Sequence, residues 1–417
     1  MTLDFTSLTP CPAPKHIPAQ AIRLGPADRV SSTQLLSQLE TLLGKPGPGA
    51  ALVLKTSGST GQAKQTALSS RALLSSAQAL HARLGLDRPQ WLLALPTYYI
   101  AGLQVLARSV YAGTSPLLTS SVSEGSSFSQ QDFLAKTQQL TGRQRMLSLV
   151  PTQLYKLLQA GEFYRDSLEA LRSFKAVLLG GAPASRSLLA RARAAGIRVV
   201  TTYGSTETAG GCVYDGLALE GIQLACQPLD AQELTPSLPA FGPASQLATV
   251  GRIWLGGEQL ALGYVGDEWG SQQHFFVDRQ NRRWYRSDDL GSLSSGRLQV
   301  LGRLDDVIIS GGLKIAAGPV ASLLESHPQV QEAYVCGLAD DRWGNLLAAA
   351  VCLSPEADQT QVSQDLAQLL AGLPSPQRPK LLKYFWDFPT LATGKTDRAA
   401  LKELLALPGQ GITQPKI

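Results

Sequence analysis

The sequence predicts an α/β fold with a large N-terminal part and a smaller α+β part behind it, and three successive textures carry that prediction. Between Ala50 and Thr202 short apolar runs alternate with stretches of helical spacing, the pattern of a largely parallel sheet covered by helices. After about residue 210 Gly and Gln become frequent and short β-like runs replace the helices, which reads as a β-rich subdomain on the same core. Past Arg303 strand and helix patterns resume over the rest of the chain, long enough for a compact α+β unit to fold alone.

Each element follows from local spacing. In the first part the pattern predicts a strand at 51–54, a helix over 73–84 behind the candidate caps Ser69 and Ser70, a strand at 91–95 and a helix over 100–111. A strand at 116–118, a helix near 131–140, a strand at 146–150 and a helix opened by Pro151 come next. A strand at 175–179, a helix over 185–195 and a strand at 197–202 complete the series. The β-rich part shows runs at 249–255 and 298–301. The last part reads as a strand at 307–310, a helix over 320–326, strands at 333–337 and 346–353, a helix over 362–370 and a strand at 382–386. There is no internal repeat.

Composition narrows the function classes. A chain of 417 residues calls for two or three domains, and 44% hydrophobic with 17% charged residues is a globular mixture. The 39 Gly and 25 Pro follow no fixed period, against a collagen-like chain. A net charge of +5 spread over this length argues against nucleic-acid binding, which calls for a clustered basic face. Cys11, Cys212, Cys226, Cys336 and Cys352 are odd in number and form no Cys-x-x-Cys pair, so neither a disulfide framework nor a structural zinc site is expected and a reducing cytoplasm fits. Met1-Thr2-Leu3-Asp4-Phe5 lacks the basic start of a secretory signal. The most apolar region, 91–107, is interrupted by Pro96, Gly102 and Gln104, which predicts a buried strand feeding a helix and no membrane insertion.

Several runs carry chemistry. Lys55-Thr56-Ser57-Gly58-Ser59-Thr60-Gly61-Gln62-Ala63-Lys64 follows a predicted strand and is expected to lead into a helix. Its glycines let backbone N–H groups converge, its hydroxyls add donors and Lys64 adds charge, an arrangement suited to polyphosphate; a Gly/Ser-rich surface loop is the plain alternative. It is not the Walker pattern Gly-x-x-x-x-Gly-Lys-Ser/Thr, since position 63 is Ala and position 65 is Gln. In Thr201-Thr202-Tyr203-Gly204-Ser205-Thr206-Glu207-Thr208, Glu207 just beyond a strand can hold Mg²⁺ and the hydroxyls can reach a phosphate or carboxylate, although by itself the run is better explained by a solvated Glu in a polar turn. Gly180-Gly181-Ala182-Pro183 ends another strand, either a bed for a flat base or a tight turn. Asp289, within Trp284-Tyr285-Arg286-Ser287-Asp288-Asp289-Leu290-Gly291, is either a ribose acceptor or a turn Asp. Gly302-Arg303-Leu304-Asp305-Asp306 through Gly311-Gly312-Leu313-Lys314 lies at the second change of texture, and Thr393-Gly394-Lys395 lies near the end. His16, His81, His274 and His327 lie outside these runs and receive no chemistry.

In identity, order and spacing, these runs resemble the adenylate-forming superfamily of acyl-CoA synthetases, adenylation domains and beetle-luciferase-like enzymes, from about Leu52 to Arg398. Leu95-Pro96-Thr97-Tyr98-Tyr99-Ile100-Ala101-Gly102-Leu103, with Arg108, is similar to the matching stretch of o-succinylbenzoate–CoA ligases of menaquinone and phylloquinone biosynthesis. The resemblance implies an adenylation core over 1–304, trimmed at its N-terminus, and a mobile C-terminal domain over 305–417 with Asp305 at the hinge. It implies ATP with Mg²⁺, CoA as co-substrate, an aromatic dicarboxylic acid as substrate and no tightly bound prosthetic group, in a monomer or a homodimer.

The site residues are carried over in the same way. The resemblance implies catalytic roles for Lys395, Glu207 and Thr206, with Glu207 on the metal. ATP would be held by Thr56, Ser57, Gly58, Ser59, Thr60, Gly61, Lys64, Gly181, Ala182, Pro183, Tyr203, Gly204, Asp289 and Arg303. Tyr99, Gly102, Arg108, Gly180 and Ser205 would form the acid pocket, and Gly311, Gly312 and Lys314 would serve thiolation. Two departures stand out: Tyr99 replaces the family's usual His, and Ser287-Asp288-Asp289 replaces Thr-Gly-Asp, adding a charge beside the expected ribose. Adenylation of another aryl or acyl acid, for CoA or a carrier-protein thiol, and a catalytically silent nucleotide-binding relative are the competing expectations.

Overall fold

The computed structural model describes residues 3–26, 28, 30–55, 64–123, 127–159, 161–228, 249–311, 313–390 and 396–407. Five parallel strands form the centre, in the order Leu117–Leu118, Gln90–Leu93, Arg145–Leu149, Ala176–Leu179 and Val199–Ser205. Alternation along these strands divides the core between two faces. Trp91, Leu93, Met146, Ala176, Leu178 and Val200 pack with helices Ser70–Leu84 and Ile100–Ala112. Leu92, Leu147, Leu149, Val177, Leu179 and Val199 pack with helices Gln130–Gln138, Pro151–Leu157, Tyr164–Arg172 and Arg186–Ala194. A strand buried on both faces reads as an unbroken apolar run, which is why these strands were legible.

The expected helix over 73–84 begins at Ser70, with Ser69 as its N-cap accepting from Ala72 N–H, and ends at the left-handed Gly85. A further helix, Ser32–Gly44, is not among the expected elements, although Leu35, Leu39 and Leu43 recur at four-residue spacing behind the N-cap Ser31.

One expectation is corrected. The Gly-rich run was expected to lead directly into a helix, but strand Ala50–Lys55 pairs antiparallel with a further strand, Gln65–Ser69, with Lys55 opposite Gln65. The run therefore joins two strands, and no helix dipole stands at its end. This second sheet has four strands among the described residues, with Ile22–Leu24 at one edge and Gly263–Tyr264 at the other.

Beyond Val199–Ser205 the main sheet turns antiparallel through Gly210–Tyr214, Leu217–Ala218, Arg297–Arg303 and Arg283–Ser294. The last two form a hairpin whose turn residues, Ser295 and Gly296, both have positive φ, as such turns require. Arg283–Ser294 is a twelve-residue strand, so Asp289 is a strand residue and not part of a turn.

After a hairpin of Val307–Ser310 and Leu313–Ala316, a three-stranded sheet pairs Val330–Asp340 antiparallel with Gly344–Leu353, and the latter parallel with Leu381–Phe385. Helices Ala317–Leu324 and Gln359–Ala371 cover one face and Arg398–Ala406 the other. The buried Lys383 ammonium donates to Leu404 O at 3.1 Å, satisfying an end carbonyl of that last helix. Among the described residues no helix is long and apolar enough to cross a membrane.

Candidate active site

Strand Val199–Ser205, its turn Thr206–Thr208 and the returning strand Gly210–Tyr214 touch three groups of predicted residues. The turn is pinned by the Thr208 hydroxyl, which accepts from Ser205 N–H at 2.8 Å and lies 2.7 Å from Gly210 O. Gly204 is required here, because a Cβ would stand 2.1 Å from Gly210 O. The turn presents Thr206 and buries Glu207, whose carbonyl accepts from Ala261 N–H at 2.8 Å.

The first group is cationic. The Tyr264 hydroxyl donates to Glu207 Oε1 at 2.9 Å, and the Lys64 ammonium lies 4.5 Å from the centre of the Tyr264 ring. Lys64 and Glu207 thus meet across one fully buried phenol that sequence reading missed. Thr56, Ser57, Gly58, Ser59, Thr60 and Gly61 lie outside the described residues. The chemistry of the donors can be judged from Glu207: among the described residues the Tyr264 hydroxyl is bonded to Oε1 of its carboxylate, and none is bonded to Oε2. No cluster of three or more His, Cys, Asp or Glu able to hold a metal occurs among the described residues. A lone carboxylate with one unshared oxygen suits Mg²⁺, which keeps waters and substrate phosphates as most of its ligands.

The second group surrounds Asp289. The Tyr203 hydroxyl donates to Asp289 Oδ2 at 2.7 Å, and Asp289 stands opposite Arg303 across the hairpin, with Arg303 Nη1 3.6 Å from its Oδ1. Arg303 spends its remaining fork on Asp305, Nε to Oδ1 at 2.7 Å and Nη2 to Oδ2 at 3.0 Å. Burial disfavours the Arg303 charge, but Asp305, Asp289 and Asp288 raise its pKa above the usual range. Asp289 is itself held above the usual carboxylate range, mainly by burial, while the Tyr203 hydroxyl and Arg303 pull the other way. The extra Asp288 is matched by Arg252, whose Nη1 donates to Asp288 Oδ1 at 3.0 Å and to Ser287 O at 2.9 Å. His274, given no chemistry by the sequence, lies 3.9 Å from Asp288 and edge-on to Tyr264. Gly181 follows the end of strand Ala176–Leu179 in the left-handed region, with Ala182 and Pro183 behind it. A Cβ on Gly180 would stand 2.1 Å from Thr202 Oγ1, so Gly180 lets these strand ends close up.

The third group lies along helix Ile100–Ala112. Tyr99 is its N-cap, with its ring 4.6 Å from that of Tyr98. Gly102 lets the first turn press on the backbone, since a Cβ would stand 2.3 Å from Pro96 O. Ile100, Gln104 and Arg108, spaced by one helical turn each, run beneath the returning strand. Gln104 Nε2 donates to Ala209 O at 2.6 Å, and Arg108 Nη2 donates to the Tyr214 hydroxyl at 3.1 Å. That hydroxyl would lie 2.9 Å from a Cβ on Gly211, which pairs with Gly204. Arg108 is only 3% exposed, its guanidinium carbon lies 5.4 Å from the Trp91 ring centre, and its Nε has no hydrogen-bond partner. No carboxylate pairs with it among the described residues. His81 beside it is held neutral, its pKa lowered to about 4 by burial and then by the Arg108 charge. The Ser205 hydroxyl is likewise buried without a partner. The i, i+4, i+8 stripe was the signal that would have joined Gln104 to Arg108.

In the C-terminal part, Gly311 has positive φ and its N–H donates to Trp343 O at 2.8 Å. Gly312 and the Lys314 side chain lie outside the described residues, as does Lys395. The flanks of the Lys395 segment are fixed: Thr390 bridges Thr396, Asp397 N–H donates to Pro389 O at 2.7 Å, and the Thr396 hydroxyl donates to Glu332 at 2.6 Å.

Comparison with known proteins gives a consistent result. Residues 32–265 match the AMP-binding enzyme family, and residues 320–395 match the AMP-binding enzyme C-terminal domain. Over 374 residues the chain is 39% identical to a probable 2-succinylbenzoate–CoA ligase of Mycobacterium tuberculosis, covering 88% of each chain. It is similar in structure to an o-succinylbenzoate coenzyme A synthetase from Bacillus subtilis in complex with the acyl-adenylate intermediate OSB-AMP, at 28% identity and a TM-score of 0.66 over 87% of this chain and 70% of that one. The Bacillus subtilis enzyme in complex with ATP and a magnesium ion matches at 28% identity and a TM-score of 0.64, over 85% and 70% of the two chains. The fold is the mixed α/β adenylate-forming one that the sequence predicts, and the chain belongs to the AMP-binding enzyme family.

Proposed function

We propose that this protein is an AMP-forming acid–thiol ligase that converts 2-succinylbenzoate to its CoA thioester through an acyl-adenylate. The observation that carries the choice of acid is Arg108, a buried cation for which no counter-charge is found among the described residues. A buried charge needs a partner, and a dicarboxylic acid brings one carboxylate to activate and another to be gripped. The similarity to 2-succinylbenzoate–CoA ligases supports the same acid.

A carboxylate is a poor acyl donor because its leaving group would be oxide. In the first step the acid oxygen attacks the α-phosphorus of ATP and the bond to pyrophosphate breaks, leaving a mixed anhydride with AMP. Lys395 bridges the two anions as they approach, the 56–61 segment and Lys64 hold the β- and γ-phosphates, and Thr206 and Glu207 stand at the turn beside them. Mg²⁺, held at Glu207, supplies charge neutralisation to the triphosphate. Asp289 and Arg303 receive the ribose, and Gly181, Ala182 and Pro183 receive the base. In the second step the CoA thiol attacks the carbonyl and AMP leaves. The part beyond Arg303 turns about Asp305 for this step, replacing Lys395 by the Gly311–Lys314 side. Five buried, unpaired cysteines suit work in a reducing cytoplasm.

Pyrophosphate release from MgATP tests this reading with 2-succinylbenzoate against benzoate and a fatty acid, each with and without CoA. Release confined to 2-succinylbenzoate, with thioester formed when CoA is present, is the expected result; release with another acid alone discards the substrate assignment. A pH dependence follows from Asp289. Its ionised form accepts the ribose hydroxyls, and its pKa is raised, so it takes up its proton at a higher pH than an ordinary carboxylate. KM for ATP should therefore begin to rise on acidification above the usual carboxylate range. Asp289→Asn should raise KM roughly 10- to 100-fold, as expected when hydrogen bonds to a charged acceptor weaken, and flatten its pH profile.

A further inference from the structure

The Tyr264 phenol stands between the two charged residues at the polyphosphate end of the site. It is 1% exposed, its ring faces the Lys64 ammonium at 4.5 Å, and its hydroxyl donates to Glu207 Oε1 at 2.9 Å. Its strand, Gly263–Tyr264, pairs with the strand that begins next to Lys64, placing Tyr264 opposite Thr66. The ring is held edge-on by Phe275 and His274, at centroid distances of 5.3 and 5.9 Å. The phenol thus has little freedom between its neighbours. We propose that Tyr264 is a positioning residue for the metal–triphosphate end of ATP: its hydroxyl fixes the rotation of the Glu207 carboxylate so that Oε2 remains available to the cation, and its ring face sets where the Lys64 charge lies. This rests on the ATP-dependent reading above and adds to it a residue 57 positions along the chain from Glu207.

The ring and the hydroxyl have separable duties, and Tyr264→Phe removes only the second. Phenylalanine fills the same buried space, so the fold and the Lys64 contact are retained. The Mg²⁺ concentration giving half-maximal pyrophosphate release is expected to rise roughly tenfold or more, the cost of losing a hydrogen bond to a charged group. Thioester formation from pre-made acyl-adenylate, which involves no triphosphate, should keep its native rate. A readout independent of turnover is thermal stabilisation: the variant should lose most of the Mg²⁺-dependent part of the stabilisation by ATP and keep that by AMP. An unchanged Mg²⁺ requirement and an unchanged Mg²⁺-dependent stabilisation would overturn the proposal. Equal losses in both half-reactions and with AMP would also overturn it, by making Tyr264 a general packing residue. If the native protein is stabilised by MgATP but adenylates none of the three acids, the ligase reading fails while the thermal measurement still decides the role of Tyr264.

Discussion

Alanine at Lys395 is expected to slow acyl-adenylate formation by about 10²–10³-fold while leaving thioester formation from pre-made acyl-adenylate within a few-fold of the native rate. The asymmetry comes from charge. In the first half-reaction two anions must be brought together, and one aimed cationic donor contributes about 3–4 kcal/mol where water is excluded. In the second a thiol attacks a carbonyl already activated by its AMP leaving group, and no such approach of like charges occurs. The flanks of the Lys395 segment are tied by the Thr390–Thr396 bridge and by Asp397 to Pro389, so shortening one side chain should not loosen them. Pyrophosphate bursts and acid-quench assays of isolated acyl-adenylate separate the two steps. Equal losses in both would remove Lys395 from the role proposed for it.

Methionine at Arg108 is expected to lower kcat/KM for 2-succinylbenzoate by roughly 30-fold or more, because losing one member of a buried charge pair costs about 2–5 kcal/mol. KM for ATP should stay unchanged. The effect on stability should run the other way. In the free protein Arg108 is a buried cation that donates to the Tyr214 hydroxyl and whose Nε finds no partner among the described residues. Replacing it by an apolar side chain of similar length removes a desolvated charge, so the melting temperature should hold or rise. Arg108→Lys should recover part of the turnover, since an ammonium keeps the charge but not the two-pronged grip. A parallel fall in stability and in ATP use would make Arg108 a core residue and nothing more.

The sequence made the central sheet legible because its strands are apolar on both faces, so runs such as Ala176–Leu179 stood out between helical stretches. Strand Arg283–Ser294 was hidden by the opposite circumstance. Its Arg286, Asp288 and Asp289 are partly buried, with Arg286 on the Gln273 carbonyl and the two aspartates on Arg252 and Arg303, so the apolar–polar alternation that announces a half-buried strand is broken. Gln65–Ser69 was hidden because Ser69 is at once its last residue and the cap of the next helix. Among the residues that the structure brings together, those in contiguous runs were named from the sequence and those recruited from a distance were not. Tyr264, Tyr214 and Arg252 reach Glu207, Arg108 and Asp288 only through pairing that no local spacing announces. Arg108 itself was visible, but its burial was not, since an Arg on a helix is ordinarily a surface residue.

One guanidinium serves both ends of the connection between Asp289 and Asp305. Arg303 has five N–H groups; two of them are committed to Asp305 and another points at Asp289. Any ligand that borrows donors from Arg303 weakens its hold on Asp305. Reciprocity then requires that withdrawing Asp305 change the affinity for that ligand by the same factor. With the ribose placed at Asp289 and the hinge at Asp305, as proposed above, nucleotide binding and the bend at Asp305 become two readings of one equilibrium. A substitution at Asp305, assigned to neither the base, the triphosphate nor the acid, should then register as a change in nucleotide affinity.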